Sequence, residues 1–258
     1  MKFAAALAVF AAMFAAPTSA QESTPNRASN IAPLILSGTI VPAGTKTYTT
    51  GLRTSAADSS VCGGSLISPT HVLSAAHCSG GINFVAVGTH FKNGSADGER
   101  IPVKREIIHP NYTFGNDFMI LELASASKFT PVTLAAADDS DAVAGAIATV
   151  MGWGVTSLTG PTPYELLGVN VPIVNSAECS KILTIDSSML CAGGVRDKDS
   201  CRGDSGGPLV VSKGGKDVLI GVVSWGSHGC GAKGYPGVYA RVSSARSWID
   251  SVIRGSTR

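Results

Sequence analysis

The 258-residue sequence predicts an all-β fold, a barrel or a sandwich, ending in one C-terminal α-helix. Short β-prone runs separated by Gly, Pro, Asn and Asp recur from Ile35 onward, which is the pattern of an antiparallel barrel or sandwich. Glycine, at 30 residues, stands well above its usual share of roughly 7%, which favours turns and close backbone approaches over long helices. Helical periodicity surfaces only at the end of the chain.

Taken in order, Lys2 precedes an apolar run from Phe3 to Ala16, then Pro17, Thr18, Ser19 and Ala20. The run is short for a membrane span, and small residues at Thr18 and Ala20 suit signal peptidase, so residues 1–20 read as a signal peptide cleaved after Ala20. Residues 21–34 are polar and without periodicity at their start, and read as a removable propeptide. Strand-like runs then follow at Ile82–Val87, Ala148–Trp153, Pro208–Val211, Val218–Trp225 and Gly237–Val242. The Ala/Asp-rich stretch Lys128–Ala144 lacks alternation and reads as a connection between two β halves. Within Ser244–Arg254, Trp248, Ile249, Val252 and Ile253 fall at i, i+1, i+4 and i+5, the docking stripe of a terminal helix.

Composition narrows the function classes. Charged residues make up 15% and hydrophobic ones 44%, which argues against intrinsic disorder. A net charge of +2 with no Lys/Arg cluster leaves no electrostatic footprint for nucleic acid. No later segment offers about 20 consecutive apolar residues, so no membrane attachment is expected once the signal is removed. In an oxidising compartment the six cysteines (Cys62, Cys78, Cys179, Cys191, Cys201 and Cys230) read as a disulfide framework, and none stands at a zinc-ligand spacing. The sequons at Asn93 and Asn111 are candidate glycosylation sites.

The segment richest in chemistry is Asp199-Ser200-Cys201-Arg202-Gly203-Asp204-Ser205-Gly206-Gly207-Pro208. A serine set among glycines can sit on a tight turn whose backbone N–H groups face a substrate oxygen. Serine is a poor nucleophile alone; it needs a base, and the base needs a third group to fix its tautomer. His77 in Ala75-Ala76-His77-Cys78 and Asp117 in Asn116-Asp117-Phe118 are the candidates, each beside apolar neighbours.

With these blocks, Cys62-Gly63-Gly64-Ser65-Leu66, Gly152-Trp153-Gly154 and Ser224-Trp225-Gly226, in the order His, Asp, Ser, the chain resembles a trypsin-like serine protease of the chymotrypsin family from Ile35 to Arg258. The resemblance implies two six-stranded antiparallel β-barrels, about 35–137 and 138–258 with the terminal helix, and an active site in the cleft between them. It implies Ser205 as nucleophile, His77 as base and then acid, and Asp117 as the group that orients His77. It also implies an oxyanion hole from the N–H groups of Gly203 and Ser205. These are the roles of the well-worked chymotrypsin template. The pairing it implies is Cys62 with Cys78, Cys179 with Cys191, and Cys201 with Cys230. Asp199 would form the floor of the primary pocket, with Gly226 and Gly237 as open walls, selecting Arg or Lys because a buried anion without a cation is costly. Arg202 stands at the cleft rim.

The same resemblance implies a zymogen. Ile35-Leu36-Ser37-Gly38 stands where the family's new N-terminus lies, and its ammonium would pair with Asp204. Leu34, not Arg or Lys, precedes that bond, which leaves the activating protease open. The expected partners are polypeptide substrates and protein protease inhibitors, the protein being a monomer without cofactor or metal. Thr89–Glu99 corresponds to a loop that binds calcium in some relatives, but Asp97 and Glu99 are its only nearby acids. His71, His90, His109 and His228 lack the context of the triad.

Two rival readings stand beside this one. Gly203-x-Ser205-x-Gly207, with Asp217 and His228 after it, also fits the nucleophile elbow of α/β-hydrolases. That elbow requires a helix after the serine, and Gly206-Gly207-Pro208-Leu209-Val210-Val211 is hostile to one. The second rival is a catalytically silent protease homologue that acts as a secreted binding or inhibitor protein, for instance against a partner's glycosidase or protease.

Overall fold

The computed structural model describes Met1 and residues 37–255, apart from 95, 96 and 158. Apart from Met1, the signal peptide, the propeptide and Ile35 lie outside the described residues. A short β1 (Thr39–Ile40) is followed by β2 (Thr49–Arg53), β3 (Cys62–Ser68), β4 (His71–Ser74), β5 (Phe84–Val87), β6 (Glu99–Ile108) and β7 (Met119–Leu123). Strands β2 to β7 close on themselves as an antiparallel barrel in the order β2-β3-β4-β7-β6-β5.

The second half holds β8 (Thr133–Leu134), β9 (Ile147–Gly152), β10 (Leu167–Val174), a one-turn α1 (Ser176–Cys179), β11 (Met189–Gly193), β12 (Pro208–Lys213), β13 (Lys216–Trp225), β14 (Pro236–Arg241) and α2 (Arg246–Gly255). The order β10-β11-β14-β13-β12-β9 returns to β10 through six paired residues, Leu167–Pro172 against Gly152–Ile147, so this half is a second closed six-stranded antiparallel barrel. Closure removes the exposed edges that an open sheet would leave.

Among the strands that no run in the sequence marks, two lie outside the barrels. β1 pairs with β10 and β8 pairs in parallel with β13, so segments before and after the first barrel both dock on the second. The five strand-like runs of the sequence fall on β5, β9, β12, β13 and β14, with shifts of one or two residues at their ends. The stripe of α2 packs as expected: Ile249 is fully buried, and Trp248, Val252 and Ile253 lie against the core.

The barrels meet where backbone approaches backbone. A side chain at Gly63 would place its Cβ 2.9 Å from the Gly207 Cα, so only glycine lets β3 lie this close to the segment after Ser205. All six cysteines are paired, Cys62–Cys78, Cys179–Cys191 and Cys201–Cys230. The first ties β3 to the 3-10 turn Ala76–Cys78, and the third ties the segment before Ser205 to the 227–235 loop.

Candidate active site

His77 sits on the 3-10 turn that ends β4, and Asp117 just before β7, so both come from the first barrel. Asp117 is buried and holds His77 twice: its Oδ1 accepts from the His77 backbone N–H at 2.9 Å, and its Oδ2 lies 2.7 Å from His77 Nδ1. Against a carboxylate, Nδ1 is the donor, which leaves Nε2 as the acceptor face. Burial alone would push the Asp117 carboxyl up. The hydrogen bonds from His77 and Ser224 outweigh it and hold the group below the usual carboxylate range.

Ser205 belongs to the second barrel, and three hydrogen bonds fix the barrels in register around it. Gly63 N–H donates to the Ser205 carbonyl at 2.7 Å. Ser224 Oγ donates to Asp117 Oδ2 at 2.6 Å, and Asn116 N–H donates to Ser188 Oγ at 2.8 Å. Among the described residues no hydrogen bond joins Ser205 to His77, a separation common in unliganded catalytic sites.

Gly203 has φ +98°, a left-handed conformation that favours glycine, and a Cβ there would approach the Gly154 Cα to 3.2 Å. Neither the Gly203 nor the Ser205 N–H donates to another described backbone group, so both are free to meet an oxyanion. Between these amides and Asp199 lies a cavity of about 480 Å³ lined by Asp199, Ser200, Cys201, Arg202, Ser205, Val223, Ser224, Trp225, Gly226, Gly229, Cys230 and Gly237. A Cβ on Gly226 would meet nothing within 4 Å, whereas one on Gly237 would come 2.8 Å from Asp199 Oδ1. Gly226 thus keeps the cavity open, and Gly237 makes room for the carboxylate.

Asp199 is buried; its Oδ2 accepts from Gly231 N–H at 3.1 Å, while Oδ1 has no hydrogen-bond partner among the described residues. Burial pushes its carboxyl up to about 6. A buried, half-satisfied anion at the end of an open cavity calls for a cationic ligand. The carboxyl is neutral below about pH 6 and charged above it, so cation binding should weaken as pH falls through that value. An arylamidine should bind a Ser205→Ala protein about tenfold more weakly at pH 5 than at pH 7, read by calorimetry. Unchanged affinity would detach the cation from Asp199.

Asp204 is completely buried under Gly152–Trp153–Gly154, its oxygens accepting from Gly154 N–H at 2.7 Å and Cys201 N–H at 2.8 Å. Burial pushes this carboxyl also to about 6, against the two backbone hydrogen bonds. Ile35, its expected partner, lies outside the described residues.

A Trypsin family model matches residues 35–249. The chain belongs to the trypsin family. Among the curated relatives of this trypsin-family chain, glucanase inhibitor protein 3 of Phytophthora infestans is 50% identical over 86% of the chain and 89% of its own length. Glucanase inhibitor protein 2 of Phytophthora sojae is 45% identical over 98% and 89%, respectively. Trypsin zeta of Drosophila melanogaster is 40% identical over 75% of the chain and 74% of its own length.

Ser224, within Ser224-Trp225-Gly226, is a site residue whose role only the fold reveals. Its hydroxyl is a charge-assisted donor to Asp117 and so acts on His77 through that carboxylate. If the chain turns over peptides, Ser224→Ala should lower kcat about tenfold or more, with KM little changed, since hydrogen bonds to charged groups contribute roughly 1.5–3 kcal/mol. An unaltered kcat would make the bond purely structural.

The histidines outside the triad are placed elsewhere. His71 Nδ1 lies 2.7 Å from Ser68 Oγ, His90 pairs with Glu165, His109 packs edge-on against Trp248, and His228 stacks on Tyr235. Asp97 accepts from Thr89 Oγ1 and His90 N–H, and Glu99 from Ser127 Oγ and Lys128 N–H, so both acids of the 89–99 loop serve internal bonds. Among the described residues no group of three His, Cys, Asp or Glu side chains is gathered for a metal ion, and no helix is long and apolar enough to cross a membrane.

Proposed function

We propose that this chain is a secreted serine endopeptidase, made as a zymogen, that hydrolyses peptide bonds after Arg or Lys. The observation that carries the reading is that Ser205 and the half-satisfied Asp199 line one cavity, beside a His77 already oriented by Asp117. A basic side chain reaching Asp199 would bring its carbonyl to Ser205. His77 would take the Ser205 proton as the acyl–oxygen bond forms, the Gly203 and Ser205 N–H groups would receive the oxyanion, and His77 would then protonate the departing amine. Water would release the acyl group by the same steps in reverse order.

Activation would follow cleavage before Ile35. An ammonium placed beside Asp204 would offset the cost of ionising a carboxyl that burial pushes to about 6.

The second reading is a protein that binds and inhibits a glucanase, and the comparisons weigh towards it. The two Phytophthora relatives carry that name and share more identity with the chain than the trypsin does. Membership of the family does not establish turnover. Incubating the protein cleaved before Ile35 with a peptide library and, separately, with a panel of secreted glucanases tests both. Cleavage after Arg or Lys that Ser205→Ala abolishes supports the protease. Inhibition that Ser205→Ala leaves intact, with no peptide cut, supports the inhibitor.

A further inference from the structure

The two sequons occupy different surroundings. Asn93 is half-buried, and the next residue, Gly94, is buried with its would-be Cβ 2.4 Å from the Arg53 guanidinium, so this stretch is packed down on the first barrel. Asn111 is exposed, as are Pro110, Thr113 and Phe114 around it. Its side-chain amide makes no hydrogen bond to a described residue, while its backbone is held by His109 Nδ1 and Asn116 Nδ2. Exposed loops joining rigid strands are where modifying enzymes gain access.

The 109–116 loop that carries Asn111 also forms one lip of the cleft. Phe114, three residues on, lies with its ring centroid 5.3 Å from that of Trp225, which lines the cavity with Asp199 and Ser205. Three residues span at most about 11 Å, and the turn bonds Tyr112 N–H to His109 C=O and Thr113 N–H to Gly115 C=O shorten that reach.

We infer that Asn111 carries an N-linked glycan at the lip of the cleft, and that this glycan filters protein substrates by size. The inference rests on the secretory reading proposed above. The donor would be a polyprenyl-diphosphate-linked oligosaccharide. The Asn111 side-chain nitrogen forms a C–N bond to the anomeric carbon, the anomeric C–O bond breaks with its electrons leaving on the diphosphate, and the amide gives up one proton. The product is a bulky, hydrated group beside Phe114 and Trp225. A single Arg residue on a small leaving group presents little surface beyond the cavity, whereas a folded protein must bring its own surface past that lip.

The test uses the full chain expressed through a secretory pathway and then cleaved before Ile35. Mass spectrometry of the peptide containing Asn111 should show a glycan that amidase treatment removes, converting Asn111 to Asp. Both enzymatic deglycosylation and Asn111→Gln should raise kcat/KM on a folded protein substrate by about three- to tenfold, through less restricted encounter. Turnover of an Arg nitroanilide should stay within about twofold, by the same argument. An unmodified Asn111 peptide, or equal rates on the folded substrate with and without the glycan, overturns the inference. If neither substrate is cut at all, the proteolytic reading fails and takes the size filter with it, while the peptide mass still decides the modification.

Discussion

Ser205→Ala is expected to lower kcat/KM for an Arg amide substrate by about 10⁴- to 10⁶-fold, leaving only binding and oxyanion assistance. The loss should fall on kcat, because on the protease reading the Ser205 hydroxyl contributes to the transition state and not to the Asp199 end of the cavity. His77 and Asp117 keep their two hydrogen bonds without it, since neither bond involves Ser205. The thermal midpoint should therefore move little, and the same protein should bind an arylamidine as tightly as the parent. A variant within tenfold of the parent would place hydrolysis elsewhere.

Asp199→Ser should reduce kcat/KM for Arg and Lys substrates by roughly 10²- to 10³-fold, the scale of losing one partner of a buried charge pair. Substrates with an apolar residue before the scissile bond should lose far less. Asp199 is the buried acid lining the cavity, and its Oδ1 has no hydrogen-bond partner among the described residues, so the cavity's other lining residues offer no second carboxylate to select a cation. A small hydroxyl at the same place leaves the arginine guanidinium desolvated and unpaired. If the Arg preference persists, selection does not arise from Asp199 at the floor of the cavity.

Much of this site was legible in the sequence because its chemistry is local. The glycines around Ser205, the apolar neighbours of His77 and Asp117, and the acid six residues before the serine are all patterns along the chain. Strands β5, β9, β12, β13 and β14 announced themselves through β-prone runs between turn residues, and α2 through its single apolar stripe.

What escaped was set by contacts between distant segments. Ser224 and Asp117 are 107 residues apart, and nothing near Ser224 marks its hydroxyl as the donor that helps ionise that carboxylate. The tie from Asn116 to Ser188 is of the same kind. β1 and β8 are two residues long, too short for any periodicity, and become strands only because β10 and β13 offer them partners. Arg53, at the end of β2, is completely buried, with Nε and Nη1 lacking a hydrogen-bond partner among the described residues, because the loop through Lys92 and Gly94 folds over it. The burial of Asp199 and Asp204, which pushes both carboxyls towards neutrality, likewise belongs to the assembled barrel.

The most direct test of catalysis is covalent. The protein cleaved before Ile35 is treated with a fluorophosphonate, digested, and analysed by mass spectrometry. The protease reading predicts one stoichiometric adduct on the Ser205 hydroxyl, lost in Ser205→Ala and strongly slowed when His77 is replaced by Ala. A processed, folded protein that takes up no label at Ser205 contradicts that reading and leaves a trypsin-family binding protein in its place.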